Sequence, residues 1–145
     1  MRALVTGGAG FVGTNLIKRL LKDGHEVISF DNYSTGYKKN EIDGCKYYDL
    51  DISESFNHWF KKFDVIFHLA ALARIQPSIK NPVPPLKVNV MGTLNVLEYA
   101  RNKDIPVIYA GSSSKHHGIF KSPYAFSKHG GEELSLIHIS EPTRP

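Results

Sequence analysis

A serine cluster, a tyrosine and a lysine in the last third of the chain have the types and spacing that proton transfer requires. Ser112, Ser113 and Ser114 stand in a row, and Tyr124 is followed four residues later by Lys128. Residues at i and i+4 share one face of a helix. A phenol with a pKa of about 10 is a poor base at neutral pH, and a neighbouring ammonium favours the phenolate that a general base needs. The Tyr-x-x-x-Lys spacing alone, however, more often marks an exposed aromatic side chain and a solvated lysine.

A glycine-rich segment near the N-terminus indicates what would lie beside these residues. Gly8, Gly10 and Gly13 satisfy G-x-G-x-x-G, and Gly7, Gly10 and Gly13 satisfy the wider G-x-x-G-x-x-G. Glycines at these places allow a sharp turn and a close approach of the backbone to a pyrophosphate, whose charge a helix N-terminus stabilises. Asp31 follows about 20 residues later, where a carboxylate binds the adenosine ribose hydroxyls and repels a 2′-phosphate. The segment therefore predicts a dinucleotide site that prefers NAD over NADP.

The elements that must position these residues alternate between short β-branched strands and longer segments of helical period. This alternation predicts an α/β fold, a Rossmann-type doubly wound parallel sheet covered by helices on both faces. The predicted strands are Ala3–Thr6, Glu26–Phe30, Val65–Leu69 and Val107–Ala110, with a weaker one near Lys46–Tyr48. The predicted helices are Phe11–Lys22, a short one at Phe56–Phe60, a longer one from Pro84-Pro85 to about Arg101, and one from Tyr124 to about Glu133.

Length and composition restrict the class of protein. The chain of 145 residues is one domain's worth, and its 41% hydrophobic and 22% charged residues are typical of a soluble globular protein. The net charge of +4 comes from scattered lysines, so we expect no nucleic-acid partner. No apolar run approaches the about 18 residues of a membrane span, and the N-terminus does not match a signal peptide, so we expect no membrane partner.

The cysteine and histidine content indicates a reducing compartment and no metal site. Cys45 is the single cysteine, so no internal disulfide can form, which suits the cytoplasm. His116 and His117 are adjacent, and adjacent side chains seldom converge on one ion without a supporting cluster. We therefore interpret these two histidines as loop residues.

Further segments occur in the order found in a known family. They are TGGAGFVG, then DNYSTG after the second strand, HLAA, the helix start VNVMGTLNVLE, the serine cluster and YAFSK. On these motifs, the chain from Met1 to about Glu133 resembles the extended short-chain dehydrogenases, specifically the NAD-dependent epimerase/dehydratase group that acts on nucleotide sugars. The resemblance implies NAD as the cofactor, a nucleotide sugar as the substrate, and residues 1–133 as an NAD-binding domain.

The resemblance also implies a set of cofactor-binding residues. They are Gly7, Gly10 and Gly13 in the turn, Phe11 and Val12 under it, Asp31 and Asn32 at the adenosine ribose, Asp51 and Ile52 at the adenine, Leu69, Ala70 and Ala71 along the groove, Asn89 on the helix beneath it, and Lys128 at the nicotinamide ribose. Two of these assignments have an alternative. Asp51 also suits a helix N-terminus next to Ser53, and Asn89 also suits an ordinary polar position near a helix start.

For catalysis, the resemblance implies that Tyr124 is the general base, that Lys128 assists it, and that a serine holds the sugar oxygen for deprotonation. Counting back from Gly118 favours Ser113 for this serine, with Ser114 next. The family usually has an aromatic residue before this glycine and a longer gap between it and the tyrosine. We therefore expect a small lid with its own loop shape.

The residues after the serines distinguish between reactions of this group. Relatives that dehydrate or decarboxylate the sugar carry acidic residues directly after the serine or threonine. Here that place holds Ser114-Lys115, and no carboxylate occurs between Asp104 and Glu132. This favours plain 4-epimerisation of the UDP-glucose/UDP-galactose type over dehydration or decarboxylation. A non-catalytic NAD-binding module is the alternative of another class, although such relatives tend to lose the tyrosine or the lysine.

The last twelve residues differ in kind from the rest. Leu134–Pro145, LSLIHISEPTRP, ends the predicted helix pattern and is similar to translated sequencing-adapter sequence. We therefore expect a non-native tail at 134–145, a natural frayed tail being the alternative, and a Rossmann domain that stops before the substrate-binding part. Relatives usually dimerise through the helices that begin near Pro85 and Tyr124. We accordingly expect a homodimer for the full-length protein and no turnover by this fragment.

Overall fold

A parallel five-stranded sheet forms the centre of the molecule in the computed structural model, which describes residues 1–59 and 61–140. The strands are β1 (Arg2–Thr6), β2 (Glu26–Asp31), β3 (Lys46–Asp49), β4 (Val65–His68) and β5 (Val107–Tyr109). Their order in the sheet is β3-β2-β1-β4-β5, and every neighbouring pair is parallel. Each lies close to a strand predicted from the sequence. The predicted Rossmann-type doubly wound architecture is confirmed.

Helices follow the strands on both faces of the sheet. They are α1 (Phe11–Lys22), α2 (Ile75–Lys80), α3 (Val83–Leu86), α4 (Thr93–Lys103) and α5 (Pro123–Ser140), with a π turn at Lys87–Gly92 that joins α3 to α4. Short 3₁₀ turns occur at Lys38–Asn40, Ser113–His117 and Ile119–Lys121. The predicted helix from Pro84-Pro85 to Arg101 therefore exists as one continuous path with a π segment in its middle.

Side chains that alternate in direction along the strands divide the hydrophobic core into two parts, one on each face of the sheet. Ala3 and Val5 of β1 point to one side, where they pack with Ile17 of α1, and all three side chains are fully buried. Leu4 points to the opposite side and packs with Val96 of α4. Because successive side chains of a strand point to opposite faces, an apolar central strand requires helices on both sides.

The predicted short helix at Phe56–Phe60 is wrong over the residues that the structure describes, and Phe60 lies outside them. Residues 56–59 form a turn in which the Trp59 N–H donates to the Phe56 carbonyl at 2.9 Å. Both rings pack edge-on against Phe30 of β2, with centroid distances of 5.6 Å for Phe56 and 5.0 Å for Trp59. The conformation of this segment is therefore set by the packing of both rings on Phe30 and not by helical backbone hydrogen bonds.

The predicted end of the last helix near Glu133 is also wrong, because α5 continues to Ser140. Ser135 is 7% exposed, and its hydroxyl donates to the Glu132 carbonyl at 2.6 Å. No proline interrupts the helix before Pro142, so the backbone ladder can continue past the expected boundary. Residues 141–145 lie outside the described part of the chain. The expected non-native origin of 134–145 stays a prediction, which sequencing through the corresponding stretch of the gene tests.

Candidate active site

A cleft opens at the carboxyl ends of β1, β2 and β4, where the strand order reverses between β1 and β4. Ligands of doubly wound sheets bind at this kind of switch point. The cleft is lined by these predicted cofactor residues: Gly7, Gly10, Asp31, Asn32, Asp51, Ile52, Leu69, Ala70 and Ala71. The sheet therefore brings together residues that lie up to 64 positions apart in the chain.

Several lining residues were not named from the sequence. They are Phe30, Ser34, Thr35, Gly36, Leu50, Leu72 and Val88. Most of these residues directly adjoin a motif that was recognised, since Ser34–Gly36 belongs to DNYSTG and Leu72 follows HLAA. Extending each motif to its neighbouring loop residues would have found them.

The glycine turn forms a cradle that side chains would fill. Gly7 has a φ of +77°, and a Cβ there would lie 2.8 Å from the backbone nitrogen of Ala70. A Cβ at Gly13 would lie 2.3 Å from the Gly7 carbonyl oxygen. No side chain caps the N-terminus of α1 at Gly10, and its first turn carries no acidic residue. A backbone turn without side chains, facing an uncapped helix N-terminus, suits the pyrophosphate of a dinucleotide.

Phe11 and Val12 occupy the first turn of α1 but do not line the cleft. Their side chains are 87% and 61% exposed. The glycine turn ends where α1 begins at Phe11, and the predicted role of both residues under the pyrophosphate stays a prediction. At these positions only the backbone N–H groups of the helix N-terminus are directed at the turn.

Asp31 lies at the end of β2 with its carboxylate held by two backbone groups. The Ala9 N–H donates to Oδ2 and the Tyr33 N–H donates to Oδ1, each at 2.8 Å. Tyr33 has a φ of 55°, the left-handed region that non-glycine residues rarely adopt. The residue Asp31 is 9% exposed and borders the cleft. The two backbone hydrogen bonds therefore fix the carboxylate at the border of the cleft.

Asp51 borders the cleft and begins a turn, so the alternative of a helix N-terminus at Asp51 is wrong. It lines the cleft, and its Oδ1 also accepts hydrogen bonds from the Ser53 N–H at 2.8 Å and the Ser53 hydroxyl at 2.7 Å. Partial burial acts to raise the pKa of this carboxyl, but the Ser53 and Asn32 hydrogen bonds and the Lys87 charge outweigh it, so the pKa is lowered. Asp51 is therefore ionised at neutral pH while it borders the cleft.

Asn89 lies in the π turn and is 1% exposed. Its Oδ1 accepts the Leu72 N–H at 2.8 Å, and its Nδ2 donates to the Leu72 carbonyl at 3.1 Å and to Ser127 Oγ at 2.9 Å. The Ser127 hydroxyl in turn donates to the Tyr124 carbonyl at 2.9 Å. Asn89 thus joins a cleft residue to the helix that carries Tyr124, which is more than a surface polar position would do.

Tyr124 contacts Ser112 rather than either serine that was predicted. Ser112 Oγ lies 3.3 Å from Tyr124 Oη and 2.8 Å from Ser114 Oγ. Ser113, the favoured residue, begins a 3₁₀ turn and is exposed. Ser112 is thus the serine whose hydroxyl contacts Tyr124, while the assignment of Ser113 or Ser114 as the catalytic serine stays a prediction.

Lys128 is buried beneath the start of the serine loop. Its Nζ donates to the Ala110 carbonyl at 2.7 Å and lies 4.4 Å from the centroid of the Tyr109 ring, and the residue is 6% exposed. Burial lowers the pKa of Lys128 to about 8, against the opposing effect of the Glu132 carboxylate. The ammonium is thus directed at the loop that carries Ser112 and does not line the cleft around Gly7 and Asp31.

The N-terminus of α5 is held by two serines, neither of which was named from the sequence. The Ala125 N–H donates to Ser122 Oγ at 3.0 Å, an ordinary N-cap. The Tyr124 N–H donates to Ser78 Oγ at 3.1 Å, and Ser78 lies in α2, a helix that was not predicted. Because Pro123 has no N–H, these bonds help to satisfy the first turn of α5 and hold the backbone of Tyr124 in place.

An ion pair connects the serine loop to α5. Lys115 Nζ lies 2.6 Å from Glu132 Oε1, and both side chains are partly buried. Glu132 is the first carboxylate after Asp104 in the sequence, and the fold brings it to the residue that follows the serines. This contact ties the loop that follows the serines to α5.

Comparison with protein families identifies the group to which this cleft belongs. The family model "NAD dependent epimerase/dehydratase family" matches residues 3–141, nearly the whole chain. The chain belongs to this family. The match includes the glycine turn, Asp31, the serine loop and the Tyr124-x-x-x-Lys128 pair, and it confirms the resemblance seen in the sequence motifs.

Curated members of the family carry out different reactions. A UDP-glucuronate 4-epimerase of Thermodesulfobacterium geofontis is 34% identical over 93% of this chain. UDP-glucuronic acid decarboxylase 1 of Danio rerio is 39% identical over 77% of this chain. The chain spans 50% of the first relative's length and 27% of the second's. These relatives share the family but not the reaction, so the reaction is a matter for proposal.

Solved structures of the family have the same architecture. A UDP-glucose 4-epimerase of Thermotoga maritima with UDP-glucose superimposes with a TM-score of 0.91 at 28% identity, over 97% of this chain and 52% of that one. A Thermus thermophilus UDP-glucose 4-epimerase in complex with NAD gives a TM-score of 0.84 at 30% identity, over 95% of this chain and 50% of that one. The chain spans about half of each.

NAD is the cofactor of the family, and the residues of this chain fit it. The cradle at Gly7 and Gly13 has no room for a Cβ, and the Asp31 carboxylate is fixed beside it. Within residues 1–59 and 61–140 no group of three or more His, Cys, Asp or Glu is placed to hold a metal ion. In the same part of the chain, no helix is long and apolar enough to span a membrane.

Proposed function

We propose that the full-length protein is an NAD-dependent nucleotide-sugar 4-epimerase of the UDP-glucose/UDP-galactose type. The observation that carries this proposal is the 3.3 Å contact between Ser112 Oγ and Tyr124 Oη on an NAD-binding fold of the epimerase/dehydratase family. A base and a hydrogen-bonding hydroxyl that converge on one point suit the deprotonation of a sugar alcohol.

In this mechanism the chain's own residues bind, orient and deprotonate the sugar. Tyr124 accepts the proton of the sugar 4-hydroxyl, and Ser112 donates a hydrogen bond to the same oxygen. Lys128 holds the start of the serine loop from below, because its Nζ donates to the Ala110 carbonyl at 2.7 Å. Bound NAD supplies reversible hydride acceptance at the sugar C4, with a 4-keto sugar between the two transfers. Gly7, Gly13 and Asp31 would hold that cofactor at its pyrophosphate and adenosine ribose.

The Lys115–Glu132 ion pair supports epimerisation over dehydration or decarboxylation. Those reactions require additional proton transfers next to the serine, and Glu132 is the carboxylate that the fold brings to this place. Its Oε1 contacts the Lys115 ammonium at 2.6 Å, which makes Glu132 part of the connection between the serine loop and α5. Plain 4-epimerisation needs only the proton that Tyr124 takes from the 4-hydroxyl and returns to the same oxygen when the 4-keto sugar is reduced.

The test is product analysis with the full-length protein and its Tyr124→Phe variant. The unmodified protein is expected to convert UDP-glucose into UDP-galactose, seen by chromatography or NMR, without loss of water or carbon dioxide. Tyr124→Phe is expected to remove most of this activity, about 10²-fold or more, and to leave NAD affinity within about threefold. Dehydrated or decarboxylated products would assign one of the other family reactions. Unchanged turnover in the variant would contradict the role of Tyr124.

A homodimer of the full-length protein in the cytoplasm completes the proposal. The helical path from Pro85 and the helix from Tyr124 carry exposed apolar side chains, with Met91 48% and Phe126 47% exposed. Sedimentation equilibrium of the full-length protein tests the dimer, and a monomeric mass at micromolar concentration would reject it.

Cys45, the single cysteine, is partly buried, and burial raises the pKa of its thiol to about 12, so it is a poor disulfide partner.

A further inference from the structure

His68 lies at the end of β4, inside the protein and between two threonines. The residue is 1% exposed, and its ring packs at 5.6 Å, centroid to centroid, from the ring of Tyr109. Nδ1 lies 2.7 Å from Thr6 Oγ1 at the end of β1, and Nε2 lies 2.9 Å from Thr93 Oγ1 at the start of α4. Thr6 and Thr93 are themselves 0% and 1% exposed. One imidazole therefore connects two strands and a helix without access to water.

The direction of each hydrogen bond follows from the number of protons available. Thr93 Oγ1 donates its single hydrogen to the Asn89 carbonyl at 2.7 Å, so towards His68 it acts as an acceptor. Nε2 must then carry the ring proton. In a neutral imidazole the other nitrogen is an acceptor, so Nδ1 receives the hydrogen of Thr6 Oγ1. This places His68 in the Nε2–H tautomer.

The number of available protons also explains which hydrogen bonds the Thr6 hydroxyl accepts next to the cleft. Its hydrogen is directed at His68, so its oxygen has lone pairs free to accept the N–H groups of Leu69 and Ala70, both at 3.2 Å. Leu69 and Ala70 line the cofactor cleft, and the Ala70 backbone lies against Gly7 in the glycine turn. The Leu69 N–H also donates to the Thr6 carbonyl at 3.2 Å, so a Thr6 hydroxyl rotated away from this arrangement would mainly leave the Ala70 N–H with a weaker acceptor.

On the other side of His68, a series of hydrogen bonds leads through Thr93 to α5, the helix that carries Tyr124. Thr93 is bonded to the Asn89 carbonyl, and the Asn89 amide is bonded to Ser127 Oγ at 2.9 Å. Ser127 donates to the Tyr124 carbonyl at 2.9 Å. Burial is the main reason that the ring stays neutral, and together with the nearby Lys128 charge it lowers the pKa of His68 to about 3.

We propose that His68 is a positioning residue which, held as the neutral Nε2–H tautomer between Thr6 and Thr93, fixes the Leu69–Ala70 wall of the NAD cleft relative to the helices that carry Asn89 and Tyr124. It touches neither cofactor nor substrate and acts through Thr6. The inference rests on the cofactor cleft and is independent of which sugar reacts, so its tests use NAD binding and spectroscopy rather than turnover.

The first test needs no substitution. Nitrogen-15 NMR of the full chain, with the histidine resonances assigned, is expected to show His68 with a protonated Nε2 and an unprotonated Nδ1 from pH 5 to pH 8. The Nε2 proton is expected to be protected from solvent exchange, because the ring is buried. An Nδ1–H tautomer, or a doubly protonated ring within this pH range, would overturn the proposal.

The second test compares two substitutions at the acceptor of Nε2. Thr93→Val keeps the shape of the side chain and removes the hydroxyl, whereas Thr93→Ser keeps the hydroxyl. The Val variant is expected to bind NAD about tenfold more weakly and to lose the protected Nε2 proton, while the Ser variant retains both within about threefold. Calorimetry with NAD alone gives the affinity. Equal NAD affinity in the two variants would reduce His68 to a structural residue.

A third variant separates positioning from loss of stability. Tyr99→Phe removes a different buried hydroxyl, the one that donates to the Lys61 carbonyl, and Tyr99 does not line the NAD cleft. We expect it to lower the melting temperature as Thr93→Val does but to leave NAD affinity unchanged. A loss of NAD affinity in Tyr99→Phe equal to that in Thr93→Val would show that general destabilisation explains both.

Discussion

Tyr124 Oη and Ser112 Oγ lie 3.3 Å apart, although the two residues belong to different elements of the fold. Ser112 ends the loop after β5, and Tyr124 stands in the first turn of α5. Three contacts hold this relationship: the Tyr124 N–H bond to Ser78, the Lys128 bond to Ala110 below the loop, and the Lys115–Glu132 ion pair beside it. The approach of the two hydroxyls is therefore a property of the whole corner of the molecule.

The serine assignment is tested by substitution of two neighbours in the full-length protein. Ser112→Ala removes the hydroxyl that lies at Tyr124, and we expect it to lower kcat about 10²-fold with little change in NAD affinity. Ser113→Ala is the matched control, since this serine is exposed, and we expect its kcat to stay within about threefold of the unmodified protein. Steady-state assays of both variants decide the matter. A large effect at Ser113 with none at Ser112 would restore the assignment based on counting from Gly118.

The Asp31 carboxylate is expected to control both the affinity for NAD and the discrimination against NADP. Asp31→Asn replaces one of two oxygens that accept backbone N–H groups with an amide donor, and it removes the charge that repels a 2′-phosphate. We expect NAD to bind at least about tenfold more weakly and the NAD/NADP affinity ratio to fall. Calorimetry with both nucleotides measures this. Asp43→Asn removes the same charge from an exposed position and should leave the ratio unaltered.

The glycine turn provides a prediction on stability. A Cβ at Gly13 would lie 2.3 Å from the Gly7 carbonyl oxygen and 2.7 Å from the Gly8 Cα, and backbone atoms cannot rotate away. We expect Gly13→Ala to lower the free energy of unfolding by more than about 1 kcal/mol, despite the better helix propensity of alanine. Urea denaturation of the apo protein gives the value. Gly10→Ala is the control, because its Cβ would meet the Gly7 oxygen at 3.3 Å, and a cost as large there would contradict the steric explanation.

The buried Lys128 predicts a dependence of stability on alkaline pH. Burial lowers the pKa of Lys128 to about 8, whereas a lysine in the unfolded chain titrates near 10.4, a value for about 25 °C. Between these values the unfolded chain binds more protons, so this group's contribution to stability rises with pH, by at most about 1.4 kcal/mol per pH unit. We expect the difference in unfolding free energy between the unmodified protein and Lys128→Met to grow in favour of the former from pH 8 to pH 10.

The control for this prediction is an exposed lysine. Lys22→Met removes the same charge at the solvent-exposed end of α1, and we expect its stability difference from the unmodified protein to be flat over the same pH range. Denaturant titrations at pH 7, 8, 9 and 10 supply the comparison. A Lys128 curve that is as flat as the Lys22 curve would mean that the ammonium is hydrated.

Local patterns in the sequence were enough to predict the fold and most of the cofactor cleft. Alternation of strands and helices predicted the parallel sheet because period and β-branching are properties of short segments. The glycine turn and Asp31 were predicted because their spacing reflects one strand-turn-helix-strand unit. Two features were not predicted. The turn at Phe56–Trp59 forms because its rings pack on Phe30, and α5 extends to Ser140 because its backbone hydrogen bonds continue past the expected end.

Only the tertiary structure decided which side chains meet. The sequence shows three serines in a row, but their distances to Tyr124 depend on how the 3₁₀ turn after β5 packs against α5. Ser78 and Glu132 carry no local signal, and although His68 opens the HLAA motif, all three acquire their partners from elements far away in the chain. Spacing along the chain determines local geometry, whereas a hydrogen bond between elements depends on ångström-scale packing that is set by the whole fold.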